Sequence, residues 1–257
     1  MDYSDIQTIE HDVLVVGAGP TGLMAALVAG RSGARVIVAD EQAEMGGDLL
    51  SSTQHVSGAC PWMFLDNLVK ELSLMDNVML LPRSTVSGYY DYNFLVINQR
   101  RTDHQAGIGD IVSRERNWRV RARQVVLATG AIERGLVFAD NDRPGIMLSS
   151  AVRTYINRYA VRPGRTGAVF TNNDSAYQTA VEMHGAGMEV KGVIDVRQAP
   201  SQERLLQMDT LGIPVYSGHG VGGTRSSRQG LRAVELCRLS ADGRDVLTQK
   251  GSLDCQV

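Results

Sequence analysis

Six residues near the start of the chain have the types and spacing to seat a diphosphate. They are Gly17, Ala18, Gly19, Pro20, Thr21 and Gly22, in the pattern Gly-x-Gly-x-x-Gly. Glycine at the first position permits a tight turn, the second lets backbone approach a pyrophosphate, and the third lets a helix pack on a strand. The free N–H groups and the dipole of a helix starting there attract phosphate. Asp40 follows about 20 residues on, where an acid bonds the adenosine ribose and repels a 2'-phosphate. Glu41 stands beside it, and Gly46-Gly47 offers a second bare-backbone loop for the same phosphates. Thr129-Gly130 closes the apolar run "VVLA". That turn reads equally as the adenosine side of the site or as a plain strand end.

A second constellation has the same frame and different chemistry. A shift of 154 residues puts Gly17 on Thr171, Gly19 on Asn173, Gly22 on Ala176, Ala26 on Ala180, Gly33 on Gly187 and Val36 on Val190. Side chains now stand where close approach is needed. Asn173 or Asp174 is expected to cap the helix, and Asp174 to place negative charge where a phosphate would go. This unit is therefore expected not to bind a dinucleotide. Asp195 falls one residue beyond the position aligned with Asp40.

Other reactive side chains lack a pattern. Cys60, Cys237 and Cys255 are scattered without CxxC, and the five histidines have no ligand spacing, so neither metal site nor redox dithiol is assigned. His184 shares a helical face with Tyr177, Ala180 and Val181 and reads as a core histidine. "GHGVGGT" is followed by "RSSRQG" and not by a helix, so it reads as a turn among strands. Glu133, Arg134, Asp142 and Arg143 read as a solvated charged face or as a polar cluster at a domain or subunit boundary. No serine has a nucleophile-elbow context, and no catalytic residue is assigned.

The elements that must position these residues follow from periodicity. "DVLVVGAGPTGLMAALVAGRSGARVIVADE" predicts strand, helix and strand, with Leu23, Ala26, Leu27 and Gly30 at helical spacing and Gly33 as the stop. Residues 61–75 predict a helix with Phe64, Leu68 and Leu72 on one face. "GYYDYNFLVINQ" and "NWRVRA" predict antiparallel strands joined by a polar loop around 100–115. "RQVVLATGA" predicts a further buried strand. "SSAVRTYINRYAV" predicts a serine-capped helix. The fold class is α/β: a Rossmann-like FAD/NAD(P)-binding domain with a nested, degenerate second Rossmann-like domain. The expected division is 1–145, with a β-meander around 84–122, and 146–257.

"VLVVGAGPTGL", "VIVADEQAEMGGDL", "VVLATGAIERGLVFADNDRPGIMLSSAVRTYINRYAV" and "FTNNDSAY" together resemble the alpha subunit of heterotetrameric sarcosine oxidase. The resemblance runs from about 10 to 200. It implies NAD, or FAD in the same site, held by the Gly17–Gly22 turn including Thr21, by Asp40, Glu41 and Gln42, and by the loop through Gly47 and Asp48. Val86 is implied on the adenine side. It also implies a flavin-bearing beta-type partner that oxidises the amine, with FMN near their interface. The full alpha subunit is longer, with an N-terminal domain and a C-terminal folate-binding region not seen here, and Gly135 stands where proline is expected. The chain is therefore expected to be a fragment or truncated product, incomplete at the C-terminal end.

Composition narrows the remaining classes. With 43% apolar and 21% charged residues and a net charge of −2, the chain suits a globular protein and offers no basic field for nucleic acid. No apolar run reaches the ~18 residues of a membrane helix, and the expected setting is cytoplasmic. Two alternatives stand beside the subunit reading. One is a self-sufficient NAD(P)H-dependent flavin oxidoreductase, which needs a glycine-rich second turn. The other is a nucleotide-binding module without catalysis.

Overall fold

The computed structural model describes residues 5–106, 112–228 and 230–257, so residues 107–111 of the expected polar loop lie outside it. The chain divides into two compact units, Met1–Ala131 and Ile132–Val257.

The first unit is built on one six-stranded sheet. Its strands are β1 (Ile6–Val16), β2 (Val36–Ala39), β3 (Val78–Leu81), β4 (Ser84–Tyr90), β5 (Phe94–Arg100) and β6 (Glu115–Leu127), in the order β3-β2-β1-β6-β5-β4. β1 runs parallel to β2 and β6, and β2 to β3, whereas β4, β5 and β6 form an antiparallel meander. Both faces of β1 are covered, which is why its centre is continuously apolar. Val15 packs with Leu23, Ala26 and Leu27 of α1 (Pro20–Arg31) and Leu65, Leu68 and Leu72 of α2 (Pro61–Ser73). Leu14 packs on the other side with Leu95, Ile97, Trp118 and Val120 of the meander.

The expected stripe on α1 is buried in full, and Gly33 (φ +86°) ends the helix. Asn77 closes that end by donating to the Gly30 and Ala34 carbonyls at 2.9 and 2.7 Å. Two expectations for the meander change. "GYYDYNFLVINQ" is not one strand: Tyr92 and Asn93 take positive φ (58° and 51°) and fold it into the β4–β5 hairpin. Asn93 tolerates this conformation and is tied to Tyr89 and to the Arg123 carbonyl. "NWRVRA" and "RQVVL" are not two strands but the single strand β6, paired along β1 from Asn117 to Leu127. Its C-terminal part is less buried than expected, with Leu127 64% exposed. The pairing with β5 stops at Arg121, so residues 122–127 have a neighbour on one edge only among the described strands.

The second unit repeats the parallel motif. β7 (Thr166–Thr171), β8 (Glu189–Asp195) and β9 (Val215–Ser217) form a parallel sheet, and α4 (Tyr177–Gly185) and α5 (Gln202–Thr210) join its strands. β10 (His219–Ser227), β11 (Gly230–Leu239) and β12 (Val246–Asp254) form an antiparallel sheet. "GHGVGGT" is thus mostly strand, with an irregularity between Val221 and Gly223. Tyr177, Ala180 and Met183 anchor α4 in the core. His184 is exposed, contrary to expectation, because Met183 takes the inward position at that turn.

α3 (Ser149–Arg153) continues into one π-helical turn, Thr154–Arg158. Its cap is not a serine. The Glu133 carboxylate, sixteen residues earlier, accepts from the Ser149 and Ser150 N–H groups at 3.0 and 2.6 Å. Arg143 is likewise engaged, with Asp140 at 2.7 Å, the Thr224 carbonyl at 3.1 Å and Ser226 at 3.0 Å. Glu133, Arg134 and Asp142 are exposed, as a solvated charged face predicts, and Glu133 and Arg143 serve in addition as structural ties.

Candidate dinucleotide site and its closed counterpart

Backbone geometry builds the first site. At the end of β1, Gly17 turns with φ +98°, and its N–H bonds the Ala39 carbonyl at 2.8 Å. A Cβ on Gly17 would meet the Ala128 carbonyl oxygen at 2.4 Å, and one on Gly22 would meet the Gly17 carbonyl oxygen at 1.9 Å. These two glycines are demanded by packing. Gly19 is not: its φ is −69°, and a Cβ there would find nothing within 4 Å. The space above Gly19 is open. Helix α1 starts at Pro20, with no side-chain cap and no acid in its first turn. Its N-terminal partial charge is therefore left for an anion.

The remaining loops converge on this turn. Gly46 donates its N–H to the Ala18 carbonyl at 2.8 Å, and a Cβ on Gly47 would come within 2.9 Å of the Gly19 Cα. Asp48 follows in the first turn of a short 3-10 helix, Gly47–Ser51. The Asp40 carboxylate accepts from the Ala18 N–H at 2.5 Å and the Gln42 N–H at 2.8 Å, tying the end of β2 to the glycine turn. Thr129 backs Gly17, and Gly130 (φ +70°) has open space about it. Thr21 and Glu41 are exposed. Val86, on β4 opposite Ile97, packs against the meander core.

Three contributors escape sequence reasoning. The Arg83 N–H bonds the Gln42 carbonyl at 2.8 Å, the Ser84 N–H bonds the Asp40 carbonyl at 2.6 Å, and Arg100 Nη2 donates to the Glu41 carbonyl at 2.9 Å. They arrive from the β3–β4 turn, from β4 and from β5, whose register no local pattern reveals.

The corresponding mouth of the second unit is closed by its own side chains. Thr171 Oγ1 bonds both the N–H and the carbonyl of Asn173, and Asn173 Oδ1 accepts from the Ser175 N–H and hydroxyl. This turn delays α4, whose N-cap Ala176 carries no side-chain bond. Asn173 and Asp174 thus do not cap the helix as expected. Nor is Asp174 a bare anion: Arg197 Nη2 pairs with it at 2.7 Å and with the fully buried Asp195 at 2.7 Å. The Tyr177 hydroxyl donates to Asp195 at 2.8 Å. Hydrogen bonding from Arg197 holds Asp174 below the usual carboxylate range. Burial, reinforced by the bond to Asp195, raises the Tyr177 phenol above its ordinary value. Bonded side chains and the Arg197 ion-pair network thus stand before α4, where the first unit has bare backbone.

Among the described residues, no group of His, Cys, Asp and Glu has the arrangement of a metal site, and no helix is long and apolar enough to cross a membrane.

A family model described as FAD dependent oxidoreductase matches residues 12–72, the stretch carrying the end of β1, α1, β2 and both glycine loops. The sarcosine oxidase subunit alpha of Corynebacterium sp. (strain U-96) is 46% identical over 240 residues, 92% of this chain and 25% of that protein. The subunit alpha of Rhizobium meliloti (strain 1021) is 48% identical over 188 residues, 73% of this chain and 19% of that protein. The chain thus spans about a quarter or less of the curated relatives it matches. Among solved structures, T. acidophilum thioredoxin reductase aligns with a TM-score of 0.68 at 14% identity, over 96% of this chain and 75% of that one. That likeness is one of fold, which is Rossmann-like of the FAD/NAD(P)-binding type.

Proposed function

We propose that this chain, a homologue of the sarcosine oxidase alpha subunit over most of its length, holds an adenine dinucleotide, NAD or FAD, in its first unit. It does so as the dinucleotide-binding component of an amine oxidoreductase. The amine is oxidised at a flavin on a beta-type partner subunit, with FMN at the interface between them. Partner and FMN are implied by the resemblance to the sarcosine oxidase alpha subunit, and the substrate class by the name of the relatives.

One observation carries the dinucleotide half of this reading: the open space at Gly19, between a Gly17 and a Gly22 that packing has already filled. The Gly17–Gly22 turn, with Ala18, Pro20 and Thr21, faces the pyrophosphate. The N-terminus of α1 supplies partial positive charge, and Gly46, Gly47 and Asp48 flank the phosphates from the second loop. Asp40 takes the adenosine ribose, with Glu41 and Gln42 beside it, and Val86, Thr129 and Gly130 border the adenosine side. The bound group supplies a redox-active ring, and the chain supplies binding and orientation. The closed mouth of the second unit argues against a self-sufficient NAD(P)H-dependent reductase, which would need a second nucleotide there.

Mass spectrometry of the ligand released from the purified chain tests this reading. NAD or FAD in wild type, lost in Gly19→Asp with the fold retained, supports it. Retention of the ligand by that variant refutes the assigned site.

A further inference from the structure

The backbone that carries Asp40 is clamped from far along the chain. Ser84 and Arg83 bond the carbonyls of Asp40 and Gln42 through their N–H groups. The carbonyl between them, that of Glu41, is taken by a side chain: Arg100, the last residue of β5, reaches it with Nη2 at 2.9 Å. Arg100 is itself tied to Arg83, since its N–H bonds the Arg83 carbonyl at 3.0 Å.

The Glu41 carbonyl and the Gln42 N–H belong to one planar peptide unit. Holding one end of that plane therefore orients the other. The other end, the Gln42 N–H, donates to Asp40 Oδ1 at 2.8 Å, while Asp40 Oδ2 accepts from Ala18. The path runs from guanidinium to peptide plane to carboxylate. We propose that Arg100 is a positioning residue for the adenosine half of the site: by fixing the Glu41–Gln42 peptide, it aims the Asp40 carboxylate at the ribose hydroxyl. This inference rests on the dinucleotide reading above.

Calorimetric binding of ADP and 2'-deoxy-ADP to the full 257-residue chain tests it. A hydrogen bond from the ribose to a well-aimed carboxylate gives wild type about a tenfold preference for ADP. Arg100→Met keeps the aliphatic stem and removes the donors. It is expected to cut that preference below about threefold while changing 2'-deoxy-ADP affinity less than about twofold, a split that a general loss of structure would not give. Arg100→Lys, which can still donate, restores most of the preference. In an Asp40→Ala background, Arg100→Met has no further effect. An unchanged preference in Arg100→Met, or equal weakening of both ligands, overturns the proposal and leaves the dinucleotide reading standing. A wild type that binds neither ligand, or does not distinguish them, overturns the proposal together with the role given to Asp40.

Discussion

Gly19 and Gly22 stand three residues apart and answer to different demands. A methyl group at Gly22 would be driven into the Gly17 carbonyl, whereas one at Gly19 would meet nothing. Gly22→Ala and Gly17→Ala are therefore expected to lower stability by about 2–4 kcal/mol, and Gly19→Ala by less than about 1 kcal/mol, read as shifts in urea midpoint. Comparable losses at all three positions would contradict this division. In the second unit, Tyr177 and Asp195 are both fully buried. Tyr177→Phe removes a donor from a buried carboxylate and is expected to cost about 1–3 kcal/mol by the same measure. The turn and packing roles of Gly17 and Gly22 were legible in the sequence, because each follows from one backbone requirement. Arg197 was not: nothing local shows that a residue beyond the end of β8 returns to the mouth of α4.

At the scale of elements, buried stripes were readable and long-range ties were not. Leu23, Ala26 and Leu27 on α1 and Leu68 and Leu72 on α2 mark their faces by spacing alone. The cap of α3 comes from Glu133, outside the helix, so the serines at its start signal a cap they do not supply. Glu133→Ala is expected to cost about 0.5–2 kcal/mol, the usual worth of a lost cap. Asp5 plays a comparable part for β1. It bonds Arg116 at 2.8 Å and Arg101 at 2.9 Å, and hydrogen bonds from Arg116 and Ser113 hold its carboxyl well below the usual range. A depressed folded-state pKa gives stability that is fully present above the unfolded value, near pH 4, and is lost as pH falls further. Asp5→Asn should therefore destabilise the chain at neutral pH and flatten its loss of stability below about pH 4. Parallel acid-unfolding curves for the two proteins would count against the role given to Asp5.

At the scale of the molecule, one motif is used twice with opposite outcomes. The shift of 154 residues survives into the structure: Gly33 and Gly187 both end their helices with positive φ, at 86° and 76°. The repeat was legible because strand, helix and stop glycine are local signals. How the second mouth is closed was not fully legible, because Arg197 and Asp195 meet Asp174 and Tyr177 only through folding. With one open mouth, the chain alone is expected to consume no NAD(P)H in a spectrophotometric assay, and steady consumption would favour a complete reductase. The most direct test of the open first mouth and the closed second is a crystal structure of the chain grown with NAD or FAD. The predicted result is a pyrophosphate over Gly19 at the start of α1, with the Arg197–Asp174 pair intact. A dinucleotide seated over Asn173, with the Gly19 turn bare, would contradict the account.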